Sequence, residues 1–191
     1  MDKQFEYYKV TRNDSALLSP DKGNPPYLYE EVLIESPELM RYKLQEPVER
    51  KPRLVDYHSD SDSIISKKIY EVLSSMNIDG IQLLPAQIRG KNDEIYLNYW
   101  AVHIYNHIQC IDLDLSDCKI SIGIRAVEKL FLNKAILESI PLSKRLVFRL
   151  KEDISYQLFH LSVVEKIMNV KPEGIRFVNI EDWNRRSHST I

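Results

Sequence analysis

Two histidines come nearest to forming a metal site in this sequence. His103 and His107 stand four residues apart in the stretch HIYNH, and Cys110 and Asp112 follow them. On a helix this spacing would bring two imidazoles to one zinc ion. The surrounding residues are aromatic and β-branched, however, which favours a strand, and four residues of a strand span ~13 Å. We therefore expect histidines on a sheet surface, with no bound metal and no cofactor.

A second group of polar residues has oxygen ligands at alternate positions. The stretch DYHSDSDS contains Asp56, His58, Asp60 and Asp62, a pattern that could hold a hard cation. It lacks the glycine and the closing glutamate of a calcium loop. Acidic residues ahead of a helix are also favoured by the helix dipole. Helix capping and solvation are therefore the simpler interpretation.

Paired carboxylates in the stretch DLDLSD are the third candidate. Asp112, Asp114 and Ser116 would share one strand face if the strand extends that far, and could then do acid–base work or bind magnesium. A strand end that turns over through Asp114 to Asp117 explains the same residues. With five glycines, the chain contains no phosphate-binding loop and no nucleophile elbow. We expect a protein that is not an enzyme, with a small enzyme using the Asp112–Asp117 region as an alternative.

The composition is that of an ordinary globular protein. Hydrophobic residues make up 43% of the chain, charged residues 28%, and the net charge is −2, which provides no global field for binding nucleic acid. Two cysteines make no disulfide framework, and no apolar run is long enough to cross a membrane. We therefore expect a cytoplasmic protein without nucleic-acid or membrane partners. Residues 1–62 are acidic, with nine Lys and Arg against thirteen Asp and Glu.

Two similar units carry most of the helical periodicity. Ser66 begins a helix-like run that ends near Ser75, and Gly80 then precedes the apolar run IQLLPAQI. Ser162 begins a second run with the capping-box pattern SVVE, in which Val164, Ile167 and Met168 form the apolar face, and Gly174 then precedes GIRFVNI. Each unit predicts a short helix, a glycine turn and a strand.

The remaining segments favour strands. YLYEEVLI (27–34) predicts a strand, SPELM predicts a helix start at Ser36, and EIYLNYWAVHIYNHIQCIDL predicts one long strand or a strand broken by a bend. Because helices and strands do not alternate regularly, we expect an α+β fold, with the two short helix–strand units packed on a mostly antiparallel sheet. We divide the chain into an N-terminal extension whose strands pack on the domain (1–45), the α+β domain (46–183) and a flexible tail (184–191).

The order of these elements resembles a bacterial immunity-protein family of polymorphic toxin and type VI secretion systems, formerly a domain of unknown function. The resemblance covers roughly residues 50–183 and rests on DGIQLLPAQI, CIDLDLS, VFRL and EGIRFVNIEDW. The matching positions are Ser66, Gly80, Asp112, Ser116, Phe148, Arg149, Leu150, Ser162, Gly174 and Phe177. It implies a protein that neutralises a cognate toxin by stoichiometric binding. An adaptor or regulatory domain with a different partner is a further alternative.

The segment PPYLYEEV is a candidate exposed patch and supplies the partner-binding candidates Tyr27, Tyr29, Glu30 and Glu31. Tyrosine provides contact area at little entropic cost, which is why it is common in interfaces. Acidic neighbours would complement a basic toxin surface. Self-association into a homodimer is left open.

Overall fold

The computed structural model describes residues 3–13, 15–22, 24, 27–48, 50–59, 62–121 and 123–184; for Lys3, Tyr27, Ile120, Ser121 and residues 123–126 it describes the backbone only. The strands of this part of the chain are β1 (Tyr7–Arg12), β2 (Leu18–Pro20), β3 (Met40–Leu44), β4 (Tyr57–Ser59), β5 (Ser63–Ser66), β6 (Ile81–Arg89), β7 (Ile95–Ile104), β8 (His107–Ile108), β9 (Asp117–Ser121), β10 (Gly123–Lys129), β11 (Val147–Leu150), β12 (Asp153–His160) and β13 (Ile175–Asn179). The α-helices are α1 (Lys67–Ser74), α2 (Lys134–Glu138), α3 (Leu142–Arg145) and α4 (Leu161–Asn169), and short 3-10 helices lie at Lys3–Phe5, Tyr27–Tyr29 and Ile180–Asp182. Of the predicted tail, residues 185–191 lie outside the described residues.

The strands form two larger sheets and a hairpin. The five-stranded sheet has the order β13-β1-β12-β11-β8, the six-stranded sheet has the order β2-β3-β6-β7-β5-β4, and β9 pairs with β10. All neighbouring strands are antiparallel except β3 with β6 and β8 with β11. The predicted α+β class with mostly antiparallel sheets is therefore confirmed.

Strands from the first 45 residues enter both sheets. β1 lies between β12 and β13, with Tyr8 opposite Phe159 on one side and Asn179 on the other. β2 and β3 pair with each other, and β3 continues the second sheet alongside β6. The division of the chain at residue 45 stays a prediction, but these strands are hydrogen-bonded parts of the sheets.

The segment predicted as one long strand or as a strand broken by a bend has the second form. β7 ends at Ile104 in the six-stranded sheet, and β8 begins at His107 in the five-stranded sheet. Between them, the backbone N–H groups of Tyr105 and Asn106 both donate to the carbonyl of Gly80, at 3.0 and 3.2 Å. The glycine turn therefore supports the point at which the chain changes sheets.

Both predicted helix–strand units are confirmed, and their helices pack on each other. Ile69 and Leu73 of α1 lie in one apolar cluster with Val164 and Ile167 of α4 and with strands of both sheets. The predicted burial of Met168 is wrong, because its side chain is exposed while Val163 faces the core instead. The helices thus fill the space between the two larger sheets.

The helix starts differ from the sequence prediction. Ser66 occupies the N-cap position of α1, but its hydroxyl donates to Asp56 Oδ1 at 2.6 Å rather than capping the helix. The capping box predicted from Ser162 and Glu165 is wrong. His160 is the N-cap of α4, and its Nδ1 accepts from the Ser162 backbone N–H at 3.2 Å. A ring nitrogen that the sequence pattern does not reveal has taken the role of the serine.

Two predictions near the N-terminus are wrong. Residues 30–34 form no strand, and Ser36 begins no helix: after the 3-10 turn the chain is irregular up to Met40, where β3 starts. The physical reason is that side chains of the six-stranded sheet, rather than a neighbouring strand, bind the backbone of this segment. Its apolar residues therefore need not alternate between a core and solvent.

His58 is completely buried and connects three parts of the chain. Its Nδ1–H donates to the Ala16 carbonyl at 2.9 Å, and its Nε2 accepts from the Val55 N–H at 3.0 Å. Only the neutral ring can make both contacts, because a protonated ring carries a hydrogen on Nε2 and cannot accept there. Desolvation lowers the pKa of His58 below its ordinary value, although the backbone contacts with Ala16 and Val55 oppose this shift.

Acid should destabilise the fold through His58. Its pKa is lowered on folding, so below about pH 6.5 the unfolded chain binds a proton that the folded chain excludes. Stability should therefore be complete above that pH and should fall below it, with a slope of up to about 1.4 kcal/mol per pH unit from this residue. Urea unfolding between pH 7.5 and 5 measures the slope. His58→Gln, which keeps a donor and an acceptor but does not titrate here, should reduce it; an equal slope in both proteins would contradict the assignment.

Candidate partner-binding surface

The two histidines contact one surface segment. His103 lies in β7 and His107 in β8, on either side of the bend. Their ring nitrogens contact consecutive residues of one external segment: His103 Nε2 donates to the Val32 carbonyl at 2.7 Å, and His107 Nδ1 lies 3.3 Å from Glu31 Oε1. In the described part of the chain no group of three His, Cys, Asp or Glu residues could hold a metal ion. The histidines instead position a surface segment.

The acidic stretch that resembled a cation site is occupied by protein contacts. Asp56 Oδ2 accepts from Lys68 Nζ and from the Glu173 backbone N–H, both at 2.9 Å. Burial opposes ionisation of Asp56, but these hydrogen bonds, with that from Ser66, lower its pKa. Asp62 accepts from the Tyr42 hydroxyl. Asp60 lies outside the described residues.

Asp56 therefore joins the two similar units. Its carboxylate binds the start of α1, through Ser66 and Lys68, and the turn that precedes β13, through Glu173. Its backbone N–H also donates to the Glu173 carbonyl at 3.1 Å. The sequence interpretation preferred helix capping and solvation, whereas the Asp56 carboxylate binds side chains at the start of α1 and a backbone N–H of the second unit.

The stretch DLDLSD is a turn, as the simpler interpretation required. Asp112 Oδ1 accepts from the backbone N–H groups of Asp114 and Leu115, and Ser116 exchanges two hydrogen bonds with the backbone of Phe131. The strand starts again only at β9. This turn directs Leu113 and Leu115 outward, with exposed fractions of 66% and 64%.

The predicted partner-binding residues have different environments. The side chain of Tyr27 is not among those described. The ring of Tyr29 is half-buried and packs 4.9 Å from the guanidinium carbon of Arg149. Glu30 is exposed. Glu31 is exposed too, and one of its carboxylate oxygens lies 3.1 Å from Lys151 Nζ.

The segment that follows, residues 30–39, is exposed along its length except for Ile34. Val32 and Leu33 are adjacent and have exposed fractions of 57% and 52%. The segment contains four glutamates and no lysine or arginine. It thus presents an apolar pair within a negatively charged surface.

Side chains of the six-stranded sheet hold this segment in place. The Gln82 amide forms two hydrogen bonds with the backbone of Ile34, accepting from its N–H at 2.8 Å and donating to its carbonyl at 2.9 Å. Together with His103 and the Glu31 contacts, this amide fixes an irregular segment as a neighbouring strand would. Gln82, Val32 and Leu33 were not among the residues predicted from the sequence. The available signal was the run EEVLIESPEL, in which apolar and acidic residues are mixed.

A family model matches most of the chain. No helix in the described residues is long and apolar enough to cross a membrane. No curated protein matches the chain. The model of the immunity protein family Imm11 matches residues 5–182, so the match includes strands β1 to β3, which the resemblance noted from the sequence did not cover. The chain therefore belongs to the Imm11 immunity protein family.

Proposed function

We propose that this protein neutralises one cognate toxin by forming a tight one-to-one complex with it, and that residues 30–39 form part of the contact surface. The observation that carries the proposal is an exposed apolar pair, Val32 and Leu33, on a segment that the fold holds in place. Exposed apolar residues surrounded by charge are typical of protein–protein contact sites. Family membership supplies the class of partner.

The fixed conformation of the segment supports tight binding. A flexible loop loses conformational entropy when it binds, whereas a segment already held by Gln82 and His103 has lost most of it on folding. Glu30, Glu35 and Glu38 project from the same segment and are exposed. Negative charge of this kind speeds association with a basic partner and excludes acidic ones. Of the residues proposed from the sequence, Glu30 and Glu31 suit this role, while Tyr29 supports the segment from beneath.

Co-expression with the toxin domain encoded by the neighbouring gene tests the proposal. Wild-type protein should rescue growth and co-purify with the toxin at a ratio of one to one. The double change Val32→Ala and Leu33→Ala should weaken binding by roughly 10- to 100-fold, since residues at the centre of an interface contribute about 1–3 kcal/mol together. Affinity is measured by competition against labelled wild-type protein.

A charge reversal separates electrostatic from apolar contributions. Glu30→Lys should slow association and reduce the salt dependence of binding, whereas Glu165→Lys, at an exposed position of α4, should change neither. Equal effects of the two changes would place the contact surface elsewhere. Rescue of growth without any stable complex would contradict stoichiometric inhibition and favour the enzyme alternative.

A further inference from the structure

An apolar depression lies beside the turn that joins β11 to β12, where Lys151 contacts Glu31 of the 30–39 segment. It is lined by Gln109, Ile111, Leu113, Cys118, Ile136 and Glu152, and is called the groove below. It lies between the 112–115 turn, the start of β9, helix α2 and the turn that joins β11 to β12. Leu113 is one of the most exposed large aliphatic residues among those described, and Ile136 is exposed too. The groove thus leaves apolar surface uncovered in the isolated chain.

The groove also has an excess of negative charge. Glu152 Oε1 accepts from the Ile111 N–H at 2.9 Å, while Oε2 is buried and has no hydrogen-bond partner among the described residues. A buried carboxylate oxygen without a donor is energetically unfavourable. Residues 109–119 add three aspartates and one lysine, Lys119. Burial raises the pKa of the Cys118 thiol, and the charges of Asp117 and Glu152 act in the same direction.

The groove continues the surface already described. Glu31 of the 30–39 segment lies 3.1 Å from Lys151, and the next residue along the chain, Glu152, lines the groove. His107, which also contacts Glu31, lies two residues before Gln109. A stable interface uses roughly 20–30 residues on each side, which is more than the 30–39 segment alone provides. A partner that covers the segment would therefore be expected to reach the groove.

We propose that the groove binds a toxin segment in which a lysine or arginine side chain is flanked by apolar residues; this inference rests on the proposed function. The apolar residues would cover Leu113 and Ile136, and the cation would lie in the negative potential of Glu152 and the neighbouring aspartates. Binding of such a segment is favourable for two reasons. It removes the apolar surface of the groove from water, and it brings a positive charge close to a carboxylate that has an unpaired oxygen.

Three single variants test this inference with the toxin domain encoded by the neighbouring gene as the probe. Leu113→Lys places a cation in the groove and should weaken binding at least 30-fold. Glu152→Gln keeps an oxygen for the Ile111 N–H but removes the charge; it should weaken binding about tenfold and reduce the salt dependence. The matched control is Leu97→Lys. Leu97 is also an exposed aliphatic residue, with an exposed fraction of 60%, but it lies near the start of β7 and does not line the groove. This variant should bind within twofold of wild type.

Affinities are measured by competition at 50 and 300 mM NaCl, after unfolding midpoints have shown that each variant is folded. If wild-type protein binds and both groove variants bind equally well, the groove inference is overturned while the proposed function stands. If Leu97→Lys weakens binding more than Leu113→Lys does, the toxin contacts the start of β7 rather than the groove, and the groove inference again fails. If wild-type protein does not bind the toxin domain, both proposals fail together.

Discussion

Replacing Gly174 by valine should destabilise the protein by about 2–5 kcal/mol, which is a large share of the stability of a typical domain. Gly174 has φ +80°, where a β-branched residue is strained by roughly 1–2 kcal/mol. A Cβ atom there would lie 2.2 Å from Val55 Cγ2 and 2.7 Å from the Tyr57 carbonyl oxygen. The backbone cannot move away easily, because the Gly174 carbonyl accepts from the Asn13 N–H at 2.8 Å. Urea unfolding followed by fluorescence measures the loss.

Gly90→Val is the matched control. A Cβ atom at Gly90 would meet the edge of the Tyr96 ring at 2.7 Å, and that exposed side chain can rotate away. Gly90 does not have the positive φ of Gly174, so we expect a cost below about 1 kcal/mol. Similar costs at the two positions would show that neither the positive φ nor the contact with Tyr57 determines stability.

The second large effect is expected at Arg149, which is 1% exposed in the core. Its Nη1 donates to the Ile154 carbonyl at 2.5 Å, its Nη2 to the Leu28 carbonyl at 3.4 Å, and its guanidinium packs against the Tyr29 ring. Arg149→Ala should destabilise the fold by about 3–5 kcal/mol, because it leaves a cavity and two carbonyl groups with fewer donors. Chemical denaturation at pH 7.5 measures this loss.

Arg149→Ala should also make the neighbouring 30–39 segment of the proposed interface less ordered. Leu28 and Tyr29 immediately precede the 30–39 segment, so loss of the Arg149 contacts should increase hydrogen exchange in residues 28–34 beyond the change elsewhere. Arg53→Ala is the control, because Arg53 is half-exposed and its ion pair with Glu173 is worth less than about 1 kcal/mol. An equal loss of stability in the two variants would contradict a structural role for the buried guanidinium.

The parts of the fold that could be predicted are those with a local signal. The periodicity of residues 66–75 predicts α1 correctly, and the enrichment of β-branched and aromatic residues predicts β7. The positive φ of Gly80 and Gly174 agrees with a turn role. No element was predicted for β12, although it is a central strand of its sheet. On one side it pairs with β11, which directly precedes it in the chain, and on the other with β1, which is far away in the sequence.

The candidate surface could be predicted only in part, for a similar reason. The partner-binding stretch predicted at PPYLYEEV includes Glu30 and Glu31, and both side chains are exposed. The overlapping stretch YLYEEVLI has the apolar content of a strand, so Val32 and Leu33 were expected in a sheet. Their exposure depends on Gln82, which lies 48 residues further along the chain and binds the Ile34 backbone. A contact between residues so far apart in the sequence cannot be predicted from the local pattern of either segment.

The position of β1 has a consequence for the timing of synthesis. The hydrogen-bonding partners of β1 are residues 158–160 and 175–179, so no ladder of this strand can form until the ribosome has synthesised the chain at least as far as residues 158–160. At roughly 5–20 residues per second, that delay is on the order of 10 s or more. Pairings of such long sequence separation also fold slowly. If the protein neutralises a toxin as proposed, a cell that began making it only when the toxin arrived would have no copies with β1 paired during that interval, and neutralisation would depend on protein made beforehand.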